Sequence, residues 1–71
     1  MSPTDRMLKH FRYEHLPTPL QVISQQCCVL AQQMATMLPA SAELTVGLRK
    51  LLEAKDCFVR AQLEALEEEQ P

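Results

Sequence analysis

The chain has 71 residues, of which 46% are apolar and 23% charged, and a formal net charge of −2. Its single glycine, Gly47, argues against a multi-strand β fold, which needs many tight turns, and excludes the glycine-rich loops of P-loop and Rossmann nucleotide-binding proteins. The length allows one domain, and a lone core of this size rarely contributes more than about 3–5 kcal/mol. We therefore expect either a covalent staple or self-association.

The cysteines do not predict a staple. Cys27, Cys28 and Cys57 are an odd number, and two of them are adjacent, which is a poor disulfide framework. Residues 1–14 are too polar for a signal peptide, and no apolar run approaches the roughly 20 residues that span a membrane. These features favour a cytosolic protein with reduced thiols that is stabilised by association of its copies.

The N-terminal segment, residues 1–19, is predicted to form a short arm or helix. A helical turn is expected over residues 5–13, with Thr4 or Asp5 as its cap. Residues 14–19 should be extended, because a residue that precedes proline avoids the α region.

The first long helix should begin near Thr18, with Pro19 at its first position, and cover about residues 20–38. Six apolar residues recur at spacings of three and four and predict a heptad seam: Leu20, Ile23, Cys27, Leu30, Met34 and Met37. The other face is rich in glutamine, and no charged residue occurs between Gln21 and Leu38. An uncharged face of this kind favours partial burial against other subunits.

A second helix is predicted over residues 41–68, after a break at Pro39 and with Ser41 as its N-cap. Its apolar residues form two rows, the first of Leu44, Leu48, Leu51 and Phe58 and the second of Leu52, Val59, Leu63 and Leu66. The short connection predicts an antiparallel hairpin over residues 20–68, followed by a tail at 69–71. One row can meet the first helix and the other needs a partner, so the predicted fold is all-α, with hairpins assembled into a helical homo-oligomer.

No catalytic constellation emerges from the sequence. Cys27 lies on the heptad seam, which is typical of a core cysteine rather than a nucleophile. His10 and His15 do not have the spacing of metal ligands with the cysteines. We expect neither an enzyme nor a metal or cofactor site.

Binding of a nucleotide is better supported. The run Phe11-Arg12-Tyr13-Glu14-His15 interleaves aromatic, cationic and imidazole groups, which can stack a base and neutralise a phosphate. Packing of Phe11 and Tyr13 onto the hairpin is the alternative, and Tyr13 can do both.

Further basic candidates lie on the second helix, namely Arg49, Lys50 and Arg60. The alternative for Arg60 is a surface ion pair with Asp56 at i, i+4. Duplex nucleic acid is not expected, because the net charge is negative and the basic residues are too few for an extended phosphate track.

Several stretches together resemble a known family. They are Phe11-Arg12-Tyr13 before a proline-rich spacer, Leu38-Pro39-Ala40-Ser41-Ala42-Glu43 followed by Thr45, Leu48-Arg49-Lys50-Leu51-Leu52-Glu53-Ala54-Lys55-Asp56, and Val59-Arg60-Ala61. In order and spacing they are similar to the phage anti-CBASS cyclic-oligonucleotide sponges, whose helical-hairpin domain is shared with a sponge that inhibits Thoeris defence. The resemblance covers about residues 11–63.

The resemblance implies a non-enzymatic anti-defence protein in the cytoplasm of the infected bacterial host. Members of the family are homo-oligomers, typically hexamers, which sequester cyclic dinucleotides between protomers without cleaving them, and some hold cyclic trinucleotides at a separate junction. The family's base-stacking tyrosine matches Tyr13.

This sequence departs from the family at one functional position. The family uses a lysine of the first long helix on phosphate, and here that helix has no lysine or arginine. Either a glutamine of the helix (Gln25, Gln26, Gln32 or Gln33) or a cation of the second helix would replace it. The expected ligand is a cyclic di- or trinucleotide or a cyclic ADP-ribose isomer. The alternative function is that of an oligomeric hairpin that docks a protein partner and takes no small ligand.

Overall fold

The computed structural model describes residues 2–68, which form three helices and no strand. A short helix α1 (Pro3–Lys9) precedes two longer ones, α2 (Thr18–Met37) and α3 (Ala42–Glu68). The predicted all-α class, with a short N-terminal element before two long helices, is confirmed. The predicted tail at residues 69–71 lies outside the described residues.

Helix α1 begins earlier than predicted, and its cap is Ser2 rather than Thr4 or Asp5. The Ser2 hydroxyl accepts a hydrogen bond from the Asp5 backbone N–H at 3.1 Å, and the Asp5 carboxylate accepts one from the Ser2 N–H at 3.4 Å. This reciprocal capping box satisfies two donors at the helix start, and Pro3 suits the first turn because it has no N–H to satisfy. The helix ends at Lys9, so the turn predicted to reach residue 13 is shorter.

The ends of α2 and the start of α3 lie close to their predicted positions. Helix α2 begins at Thr18, with Pro17 as its N-cap, so Pro19 occupies the second helical position instead of the first. It ends at Met37, where the extended Leu38 leads into Pro39. The Ser41 hydroxyl accepts a hydrogen bond from the Leu44 N–H at 3.1 Å, which confirms Ser41 as the cap of α3.

Helices α2 and α3 form an antiparallel hairpin. The loop joins the end of α2 to the start of α3, while the Gln62 side-chain amide donates to the Pro19 carbonyl at 3.3 Å and ties the other ends together. Helix α3 continues past this contact to Glu68, beyond the start of α2. The molecule measures 48 × 19 × 17 Å, so it is an elongated rod.

Residues 2–17, which we call the arm, fold back onto the hairpin. Helix α1 contacts both α2 and α3. The Gln21 amide donates to two carbonyls of the arm, to Leu16 at 2.7 Å and to Glu14 at 3.2 Å. The buried hydrophobic core joins all three parts and consists of Phe11, Cys27, Cys28, Ala31, Leu44 and Leu48.

The predicted heptad seam of α2 is only partly buried. Ser24, Cys28 and Ala31 lie in the interior with Cys27, whereas Leu30 is 42% and Met37 74% exposed. The buried face is therefore rotated from the predicted one. The arm causes the rotation, since it covers a side of α2 that a simple two-helix contact would leave open.

Candidate functional site

Tyr13 is the part of the predicted site that is both anchored and accessible. It lies in the irregular stretch between α1 and α2 and packs, partly buried, against the core. The Leu16 N–H donates to the Tyr13 carbonyl at 3.0 Å, so a turn fixes the backbone. Arg12 and His15 on either side are exposed. Tyr13 is therefore an aromatic residue with a fixed backbone, preceded in the chain by the exposed Arg12 and followed two residues later by the exposed His15.

Phe11 lies elsewhere. Its side chain is 0% exposed and belongs to the core, which confirms the packing interpretation for this residue. The Phe11 N–H donates to the Leu8 carbonyl at 3.1 Å as the chain leaves α1. A ring that is covered on both faces cannot stack a ligand, so Phe11 supports Tyr13 by holding the arm in place.

The three basic candidates on α3 are all exposed but do not converge within one chain. Arg49 and Arg60 share a side of the helix, because eleven residues are close to three turns, and are separated by about 16 Å along the axis. Lys50 is rotated from Arg49 by about 100°. A single chain therefore presents these cations at separate points rather than as one pocket.

The alternative interpretation of Arg60, a surface ion pair with Asp56, is wrong. The Asp56 carboxylate lies 3.1 Å from the Lys55 ammonium, which is the only ion pair among residues 2–68. The Arg60 guanidinium instead donates to the Cys57 sulfur at 3.3 Å. A thiol sulfur is a weak and uncharged acceptor, so the Arg60 charge is not neutralised by this contact.

The buried thiols are poor nucleophiles. Burial raises the pKa of Cys27, and the nearby Lys55 charge opposes that rise only in part. Burial also raises the pKa of Cys28, and the Glu14 carboxylate adds to the effect. Both thiols are therefore protonated near neutral pH, and the thiolate is the form that reacts or ligates a metal.

An open groove runs along the side of the hairpin that the arm leaves uncovered. It consists of two adjoining cavities of about 600 and 550 Å³, and Leu30 and Leu51 line both. The first cavity reaches Phe58, which is 56% exposed, and the second reaches Gly47. Glu43 is the one charged residue among those that line the groove. We call this feature the groove.

Two contributors to the local structure were not found from the sequence. Gln21 fixes the arm through its two hydrogen bonds, although a glutamine in a glutamine-rich helix gives no distinguishing signal. Lys55 has a side chain only 13% exposed and lies near enough to Cys27 for its charge to act on that thiol, although nothing in the sequence marks it as covered. Its long aliphatic stem explains how a lysine can be so covered.

Residues 2–68 contain neither a metal-binding cluster nor a membrane-spanning helix. No group of three or more histidine, cysteine, aspartate or glutamate side chains is placed to hold a metal ion there. Over the same residues, none of the helices has the length and apolar character needed to cross a bilayer. Comparison of the chain with family models, with curated proteins and with solved structures found no match.

Proposed function

We propose that this protein is a non-catalytic binding protein that sequesters a cyclic nucleotide immune messenger in pockets between its copies. The ligand class is a cyclic di- or trinucleotide or a cyclic ADP-ribose isomer. The resemblance to the anti-CBASS sponges suggests this function. The observation that carries it is that Tyr13 packs against the core with a fixed backbone and remains partly accessible.

Tyr13 suits stacking because its ring needs little ordering on binding. The ring rests on the core, and the arm that carries it is fixed by the Gln21 hydrogen bonds. Stacking of a base on an aromatic side chain contributes roughly 1–3 kcal/mol. Arg12 next to it adds a guanidinium for phosphate, which binds that group through charge-assisted hydrogen bonds.

The pocket requires more than one copy. Within a chain, Arg49, Lys50 and Arg60 do not converge, and a cyclic dinucleotide carries two phosphates and two bases. Symmetric packing would bring a cation of one copy towards Tyr13 of another and enclose the ligand between them. Helix α2 has no lysine or arginine, so in this arrangement the cations of α3 supply the positive charge for the ligand phosphate.

The test is retention of intact ligand. Purified protein is mixed separately with cyclic dinucleotides, cyclic trinucleotides and cyclic ADP-ribose isomers, freed of unbound nucleotide, and heated to release what it holds. Recovery of an unmodified ligand from the protein fraction is the expected result. A cleaved product would indicate an enzyme, and no depletion of any member of the panel would contradict the proposal.

The Tyr13→Ala variant should lose ligand retention at least about tenfold while keeping the wild-type assembly, since one stacking contact per site is removed. Tyr13→Phe, which keeps the ring, should retain the ligand. His10→Ala, a substitution at an exposed residue of the same arm, is the control and should retain the ligand. Unchanged retention in Tyr13→Ala would remove Tyr13 from the site.

The groove favours a second candidate, a hairpin that docks a protein partner and takes no small ligand. An apolar, nearly uncharged groove is a common docking surface for an amphipathic helix. The retention assay separates the two functions, because the second predicts that no nucleotide is held.

A further inference from the structure

We propose that the groove is the contact between two copies of this chain, which pair through α3 in antiparallel orientation about a two-fold axis beside Asp56. The inference rests on the self-association in the proposed function and specifies its surface. It does not require a nucleotide.

The first observation is a row of uncharged residues along the groove side of α3. Spacings of four, three, four, three and four place six residues on one stripe: Gly47, Leu51, Ala54, Phe58, Ala61 and Ala65. This is the repeat by which one helix packs along another. Phe58, Ala61 and Ala65 are exposed, and a Cβ added at Gly47 would meet nothing within 4 Å. The chain's own packing therefore leaves these four positions of the row open, while Leu51 and Ala54 are half-buried.

Large and small side chains alternate along the row in such a way that, when two copies pair in antiparallel orientation, large residues of one copy face small residues of the other. In antiparallel pairing about Asp56, Phe58 of one copy lies opposite Ala54 of the other. Leu51 lies opposite Ala61 in the same way, and Gly47 lies opposite Ala65. Each large side chain meets a small one, which is how side chains at facing positions interdigitate without voids or overlap. A parallel pairing would place Phe58 against Phe58 and lose this match.

The charges beside the row agree with the same pairing. Glu43, Lys50, Cys57 and Glu64 follow one another at intervals of seven on its outer edge. In the antiparallel arrangement Lys50 of one copy lies opposite Glu64 of the other, and this pair occurs twice. Cys57, which is exposed, lies next to its own copy at the axis. The groove lining itself carries one charged residue, Glu43 at its end.

The first experiment measures the dimer dissociation constant of the ligand-free protein. Lys50→Glu should weaken the dimer about fivefold, and Glu64→Lys should do the same, because each places like charges together. The double variant, with both charges exchanged, should recover wild-type affinity. Two single variants without effect, or a double variant weaker than both, would overturn the pairing.

The second experiment distinguishes fitted packing from general stickiness. Ala61→Leu adds apolar surface to an exposed position, yet it should weaken the dimer at least about tenfold, since the new side chain meets Leu51 of the other copy. Ala42→Leu, the same apolar gain at an exposed residue of α3 that lies away from the row, is the control and should change nothing. A tighter dimer in Ala61→Leu would overturn the size match.

The third experiment locates the axis. A short bismaleimide should link Cys57 to Cys57 in most of the protein, and Cys57→Ser should abolish the link while leaving the dimer intact. A wild-type dimer that does not cross-link would contradict an axis beside Asp56. All three measurements use unligated protein, so loss of nucleotide retention with an intact dimer would count against the proposed function alone.

Discussion

The two halves of α3 carry similar apolar side chains but have different surroundings. In the first half, Leu44 and Leu48 are buried, with exposed fractions of 7% and 2%. In the second half, Phe58 is 56% and Leu63 44% exposed. The arm accounts for the difference, because it completes the core around Phe11 near the first half and contributes no residue to the groove. Apolar side chains of the first half are therefore covered within the chain, whereas Phe58 in the second half is the residue that the proposed second copy would cover.

The largest expected effect comes from removing the residue that completes the first half. Phe11→Ala should lower the free energy of unfolding by about 3–5 kcal/mol, because it empties the space of a fully buried aromatic ring. Chemical denaturation measures the change. A loss below about 1 kcal/mol would mean that the arm is not part of the core, and the arm could then not explain why the first half of α3 is more buried than the second.

The same substitution made once in each half gives a matched comparison. Leu48→Ala should cost about 2–5 kcal/mol, the usual range for a buried leucine. Leu63→Ala should cost less than about 1 kcal/mol, since nearly half of its side chain is already in water. Both changes are measured by urea unfolding at equal protein concentration, and equal losses would contradict the difference in burial.

Two serine-to-alanine substitutions should change the free energy of unfolding by smaller amounts and in opposite directions. The Ser24 hydroxyl is fully buried and has no hydrogen-bond partner, so Ser24→Ala should raise the free energy of unfolding by about 1 kcal/mol. Ser41 caps α3, so Ser41→Ala should lower it by about 1 kcal/mol. Thermal unfolding of both variants checks the signs. A loss of stability in Ser24→Ala would show that its hydroxyl is satisfied in solution.

The sequence predicted local features better than the orientation of the faces. Pro39 and Ser41 define the hairpin loop through their own backbone chemistry, and both were located correctly. The buried face of α2 depends on where the arm docks, which is set by the tertiary contacts of Phe11 and Gln21 and leaves no periodic signal. The seam was accordingly predicted to include Leu30, which faces the groove instead.

In the candidate site too, the sequence predicted what depends on a single side chain but not what depends on tertiary packing. The burial of Phe11 follows from its apolar side chain, and the partial exposure of Tyr13 follows from its polar tip, so both were open to prediction. The partner of Arg60 was not, because spacing allows an ion pair with Asp56 while rotamers and the neighbouring Lys55 decide against it. Sequence spacing gives the neighbours that a side chain can reach, and packing chooses among them.

The most direct test of the central claim is the mass of the ligand-free protein in solution, measured by sedimentation equilibrium over a wide range of concentration. Pairing through α3 predicts two chains, or an even multiple, for the wild type, and a shift of at least about a hundredfold in dissociation constant for Phe58→Glu, which places a charge at the centre of the contact. Val46→Glu, on another side of α3, should match the wild type. A wild-type protein that remains a single chain throughout would contradict the claim that another copy covers the open half of α3.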